Sequence, residues 1–167
     1  MTDTTTKQQK TKAPEAPRAE VPEAWPSLLR AHAAMTRQMD ADLIASHQLN
    51  LSDYEVMLHL SHAPGRRMRR TDLAERVVLT QSGITRLLAG LETAGWVDRA
   101  GCPTDGRVVY AHLTDAGLEK LRECAATHLG SIRELFSSRF SASELDDLAA
   151  LLGRLPTTRG SGACAPD

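Results

Sequence analysis

The sequence predicts a mainly α-helical chain carrying one small β-hairpin, and three observations lead there. Apolar residues recur at helical spacing through most of residues 26–155. That pattern switches to β-branched and aromatic residues at 96–99 and again at 107–113. Between those two runs, Gly101-Cys-Pro-Thr-Asp-Gly106 has the Pro and Asp-Gly of a turn. The 167 residues suit one domain with irregular ends, and with two Trp, two Tyr and two Phe the core must be mostly aliphatic.

Residues 1–22 hold Thr, Lys, Gln, Ala and three prolines with little to bury, so a disordered tail is expected there, and likewise at 156–167. The folded part is then a single domain, 23–155. A first helix, about Pro26 to Ser46, is marked by Leu28, Leu29, Ala33, Met35, Met39, Leu43 and Ile44. A second opens at Ser52, where Ser52 and Glu55 form a capping box, and stops at Pro64-Gly65. Thr71 is placed to cap a short helix, Asp72 to Val78, and Thr80 a longer one, Gln81 to Thr93, ended by Gly95. The hairpin follows. After Thr114 a long helix resumes through Leu118, Leu121, Ala125, Leu129, Ile132 and Phe136. A last helix opens on the box Ser141–Glu144 and carries Leu145, Leu148, Leu151, Leu152 and Leu155.

Composition narrows the function classes. No stretch approaches the ~18 apolar residues of a membrane span. The N-terminus has no apolar signal run, so a cytoplasmic protein without membrane partners is expected. Cys102, Cys124 and Cys164 form neither a disulfide framework nor a CxxC pair, and no two of the six histidines stand four apart. No metal or cofactor is expected. No nucleophile–base set or phosphate loop is present, which argues against an enzyme. The net charge of −1 hides an uneven distribution. Residues 61–110 hold eight arginines against five acids, while both flanks are acidic.

Two short helices followed by a hairpin is the order of a winged helix-turn-helix, here spanning about 52–114. In the second short helix Ile84, Leu87, Leu88 and Leu91 make one buried stripe. The opposite face shows Gln81, Ser82, Thr85, Arg86 and Ala89, with no acid before Glu92. Such groups suit the major groove of double-stranded DNA, ~12 Å wide, with Gln81 able to take adenine and Arg86 guanine or a phosphate. Gly83 would let the backbone approach closely, and the helix N-terminus favours a phosphate. At the hairpin tip Arg107 could enter a narrow minor groove, with Asp105 paired to it or to another arginine. Arg69 and Thr71 complete the candidate DNA contacts. A winged-helix module for protein–protein contact is the alternative.

The run Asp72-Leu-Ala-Glu-Arg-Val, then Thr80-Gln-Ser-Gly-Ile-Thr-Arg-Leu-Leu, Leu91-Glu-Thr-Ala-Gly-Trp-Val-Asp-Arg99, Asp105-Gly-Arg107 and Leu113-Thr-Asp-Ala-Gly117 resembles the MarR family of bacterial regulators. With the flanking helices the likeness extends over about 25–155. It implies a homodimer built on interlocked terminal helices (about 23–47 and 115–155), bound to a palindromic operator, usually as a repressor, and in many members released by a small aromatic or phenolic effector. It places Ser82, Thr85 and Arg86 on recognition positions, Arg107 on the wing arginine, and Arg99 and Asp105 on positions supporting the wing. The terminal helices' leucine surplus independently calls for a two-fold partner, hence two inverted half-sites. An effector would meet Trp25, His32, Arg37, Tyr54 and His59, near the junction of the two regions. Cys102 beside Pro103 reads as an incidental thiol, Cys124 as core.

Overall fold

A computed structural model describes residues 21–77, 79–101 and 109–156. Its elements are α1 (Val21–His47), α2 (Leu51–His62), a single 3-10 turn (Pro64–Arg66), β1 (Arg67–Arg69), α3 (Arg70–Arg76), α4 (Gln81–Thr93), β2 (Val97–Gly101), β3 (Val109–Leu113), α5 (Asp115–Ser137) and α6 (Ala142–Leu152). The chain divides between Ala33 and Ala34. In the first unit the described residues are the opening turns of α1, with Trp25, Leu28 and Leu29 exposed. They begin at Val21, inside the segment expected as a tail. Pro22 and Pro26 both suit a first helical turn, and the earlier start prevails.

The second unit holds the core. Leu43 and Leu49 meet Val56, Met57 and Leu60 of α2, Leu73 and Ala74 of α3, Ile84, Leu88 and Leu91 of α4, Val97, Ala111 and Leu113 of the sheet, and Leu121 and Cys124 of α5. Each fully buried leucine contributes about 1.5–3 kcal/mol of transfer free energy. Two polar contacts fix α1 against α5 within this unit. Ser131, itself buried, donates to Asp42 Oδ2 at 2.6 Å, and His47 Nε2 lies 2.8 Å from Thr127 Oγ1.

Local chemistry explains the helix starts. Thr80 and Ser141 cap α4 and α6 as expected, Ser141 closing its box with Glu144, and Thr114 caps α5 as well. Two expected caps are corrected. The start of α2 is capped by Asn50, which exchanges bonds with Asp53, while Asp40 Oδ1 accepts from Leu51 N at 2.9 Å. An Asn-x-x-Asp box two residues upstream thus displaces the Ser52–Glu55 pair. Helix α3 runs from Arg70 with Arg69 as its cap residue, so Thr71 lies inside the first turn and its hydroxyl meets Asp72 instead, at 3.2 Å.

The three strands form one antiparallel sheet in the order β1-β3-β2, with Met68 opposite Ala111 and Val97 opposite Leu113. β1 is the element without a sequence signal: Arg-Met-Arg has no β-branched or aromatic residue, and β3 recruits it by backbone pairing. The expected turn of the hairpin lies outside the described residues, as does the first part of its second strand. No helix among the described residues is long and apolar enough to cross a membrane.

Candidate nucleic-acid interface

Between helices α3 and α4, Leu79 N donates to Ala74 O at 2.9 Å. Leu73 and Ala74 of α3, with Ile84, Leu88 and Leu91 of α4, anchor the pair in the core, and Leu87 is half-buried. The stripe therefore forms as its spacing predicts. On the far side Gln81, Ser82, Thr85, Arg86 and Ala89 are all exposed. This face carries amide, hydroxyl, guanidinium and methyl groups, and no carboxylate interrupts it before Glu92.

The hydroxyls on this helix are partly committed to it. Thr80 Oγ1 accepts from Gly83 N at 3.1 Å and sits 3.1 Å from Ser82 Oγ. Thr85 Oγ1 donates to Gln81 O at 2.7 Å. Gly83 is half-buried, and a Cβ there would lie 3.2 Å from Thr80 Oγ1 and 3.7 Å from Leu79 Cβ. The missing side chain would thus point into the helix's own cap. Glycine suits that cap, where the sequence suggested close approach of the backbone to a partner.

A three-membered ion cluster joins this helix to its neighbours. Glu92, at the end of α4, accepts from Arg70 Nη2 at 2.7 Å and from Arg99 Nε at 2.8 and 3.0 Å. Arg70 opens α3 and Arg99 lies on β2, so one carboxylate ties three elements together. Its side chain retains 20% of its accessible surface, as against 59% for Arg99. Arg99 is therefore braced from inside while remaining exposed. Arg69 lies close to Tyr110, its Nε 3.4 Å from the phenol oxygen, and Arg67 lies 5.7 Å from the same ring centre. Arg66 bonds Asp115 at the start of α5, 2.8 Å away, and holds that exposed carboxyl below its usual pKa. Glu92, Arg70, Arg67 and Tyr110 were not among the expected site residues. Knowing that β1 exists would have found the last two, since Arg67 and Arg69 share one face of a strand. Asp105, Arg107 and Cys102 lie outside the described residues.

The five candidate effector residues are disposed differently. Trp25 is 63% exposed, and His32 and Arg37 are also exposed. Tyr54 is buried, its ring 4.4 Å from that of His128, and burial raises its phenol pKa. His59 is half-buried on another face of α2, its pKa lowered by burial, then by Arg76 and His62. Within the second unit, Tyr54 and His59 do not share a surface. Cys124 is core, its thiol pushed up by burial, and no three His, Cys, Asp or Glu among the described residues are grouped as a metal site requires.

A model of the MarR family matches residues 47–108. The uncharacterised HTH-type transcriptional regulator YkoM of Bacillus subtilis is 34% identical over 106 residues, 64% of this chain and 67% of that protein. The fold is similar to that of two Streptomyces coelicolor proteins described as MarR family transcriptional regulators. Sco3205, solved in complex with DNA, is 29% identical with a TM-score of 0.73, over 84% of this chain and 89% of its own. AbsC is 32% identical with a TM-score of 0.71, over 82% of this chain and 93% of its own.

Proposed function

The chain belongs to the MarR family of transcription regulators, and we propose that it binds a palindromic DNA operator as a homodimer and represses by occupying it. The observation that carries this reading is the outer face of α4, acid-free before Glu92 and backed by the buried Ile84, Leu88 and Leu91. In this role Gln81, Ser82, Thr85 and Arg86 face base edges in the major groove. Arg69, Thr71 and the braced Arg99 contact phosphates, which position the lobe without reading sequence. Arg107 reaches the adjacent minor groove, steadied by Asp105. Sco3205 crystallised with DNA supports the same use of the same fold here.

The dimer rests on exposed apolar residues. Helix α6 buries none of its residues, and Leu151 and Leu152 are exposed on it, as are Leu155 just beyond it and Leu129 and Phe140 before it. A second copy is the economical cover for such a surface. Domain roles follow, with the terminal helices pairing and residues 52–114 reading DNA.

Fluorescence anisotropy with duplex DNA from beside the protein's own gene tests the reading. Arg86→Ala is expected to weaken specific binding by about 1–3 kcal/mol and to relax preference at one base pair. A uniform loss across all operator variants would make Arg86 a phosphate contact. Absence of binding by the unaltered protein at low ionic strength overturns the proposal.

A further inference from the structure

We propose that Thr85 reads a thymine through its methyl group, so that each half-site carries a thymine whose C5 methyl packs against Thr85 and, one turn on, Ala89. The inference rests on the DNA-reading role assigned to α4 and goes beyond it by naming a base and the chemistry that recognises it.

Threonine at a recognition position has two ways to meet a base: its hydroxyl can donate or accept, or its methyl can make an apolar contact. Here the structure separates them. The single hydroxyl proton of Thr85 is spent on Gln81 O, one turn back in the same helix, at 2.7 Å. A hydroxyl bonded in this way to the preceding turn satisfies the backbone carbonyl locally. It has no second proton to offer a purine N7 or a carbonyl oxygen of a base. The side chain is nevertheless exposed, and besides the hydroxyl its outer atom is the methyl carbon.

The neighbouring position adds to this. Ala89 stands four residues on, is exposed, and ends in a methyl. Residues at i and i+4 of a helix lie about 5–6 Å apart at Cβ, so the two methyls form a short apolar strip on an otherwise polar face. Gln81 and Arg86, long hydrogen-bonding side chains, flank the strip, and Ser82 shares its hydroxyl with the cap residue Thr80 at 3.1 Å. In the major groove thymine is the unmodified base that presents a methyl. An apolar strip between two polar readers matches that base, and the committed hydroxyl proton leaves a guanine carbonyl unpaired.

The test uses the full-length protein, with operator duplexes in which each thymine of both half-sites is replaced in turn by deoxyuridine, which removes only the methyl. For the unaltered protein one such replacement is expected to weaken binding about fourfold, the value of one buried methyl. Thr85→Val keeps the methyl and loses the hydroxyl. It should bind more tightly than Thr85→Ser and keep its sensitivity to deoxyuridine. Thr85→Ser keeps the hydroxyl and loses the methyl. It should bind about fifteenfold more weakly, because both copies in the dimer lose a methyl, and no longer distinguish thymine from deoxyuridine at that position. Circular dichroism of both variants checks that α4 is intact. The inference is overturned if Thr85→Val weakens binding while Thr85→Ser does not, or if no deoxyuridine matters. Either result would leave DNA binding itself standing. Failure of the unaltered protein to bind any duplex would instead remove the reading of α4 on which the inference depends.

Discussion

Gly117 stands where α5 leaves the sheet, in a space that admits no side chain. A Cβ there would lie 2.1 Å from the carbonyl oxygen of Trp96 and 2.7 Å from Leu113 Cδ1. The contact is with backbone, held in turn by Thr114, whose hydroxyl donates to Gly95 O at 2.8 Å. Gly117→Ala must therefore move α5 away from β2, and urea unfolding should show a loss of about 1–3 kcal/mol, the cost of overpacking. An unchanged midpoint would mean that the helix shifts freely. His128 makes a different prediction. Its Nδ1 is buried and has no hydrogen-bond partner among the described residues, and burial holds its pKa below the ordinary 6.5. The folded state thus binds this proton less readily than the unfolded chain does. Its neutral form supports stability fully above pH 6.5, and that support is lost as pH falls below 6.5 through the depressed folded value. The drop in urea midpoint between pH 7.5 and about 5 should shrink in His128→Gln. An equal drop in both proteins would assign the loss to other groups, His59 first among them because burial lowers it too.

At the scale of elements, Glu92 is the joint between α4 and β2. It receives Arg70 from α3 and Arg99 from β2, both within 2.8 Å. Removing an acid from a basic lobe would by simple electrostatics strengthen DNA binding. Loss of the brace acts the other way, by letting β2 and α4 move independently. Glu92→Gln is expected to weaken operator binding by roughly tenfold, about 1.4 kcal/mol, and Arg99→Ala added to it should cost less than Arg99→Ala does alone. Tighter binding by Glu92→Gln would show that charge outweighs the brace. This cluster was illegible in the sequence because its members stand 22 and 7 positions apart, and no local pattern announces such a pairing. What periodicity and caps control was legible: the span and both faces of α4, the caps at Thr80 and Ser141, and the two strands of the hairpin in their described parts. Errors arose where two local solutions compete. Asn50 and Ser52 both suit a cap, and the carboxylate of Asp40, eleven residues before Leu51, accepts from the first turn of α2. β1 exists because β3 offers it an edge, which no three-residue propensity foretells.

The whole molecule shows a division of labour already visible in its charge. Arginines gather between residues 61 and 110 while the flanking helices are acidic, so the lobe bearing α4 attracts an anion and the flanks repel one. Exposed leucines gather elsewhere, on and around α6. The candidate effector residues separate into exposed, half-buried and core positions. Photocrosslinking decides most directly whether the outer side of α4 lies on a duplex. With p-azidophenylalanine at Ser82, irradiation of the operator complex should join protein to DNA, and random-sequence competitor should not abolish the product. The same group at the exposed Ala150 of α6 should leave the DNA unmodified. Crosslinks from α6 but none from position 82, in a complex that forms normally, would contradict the assignment.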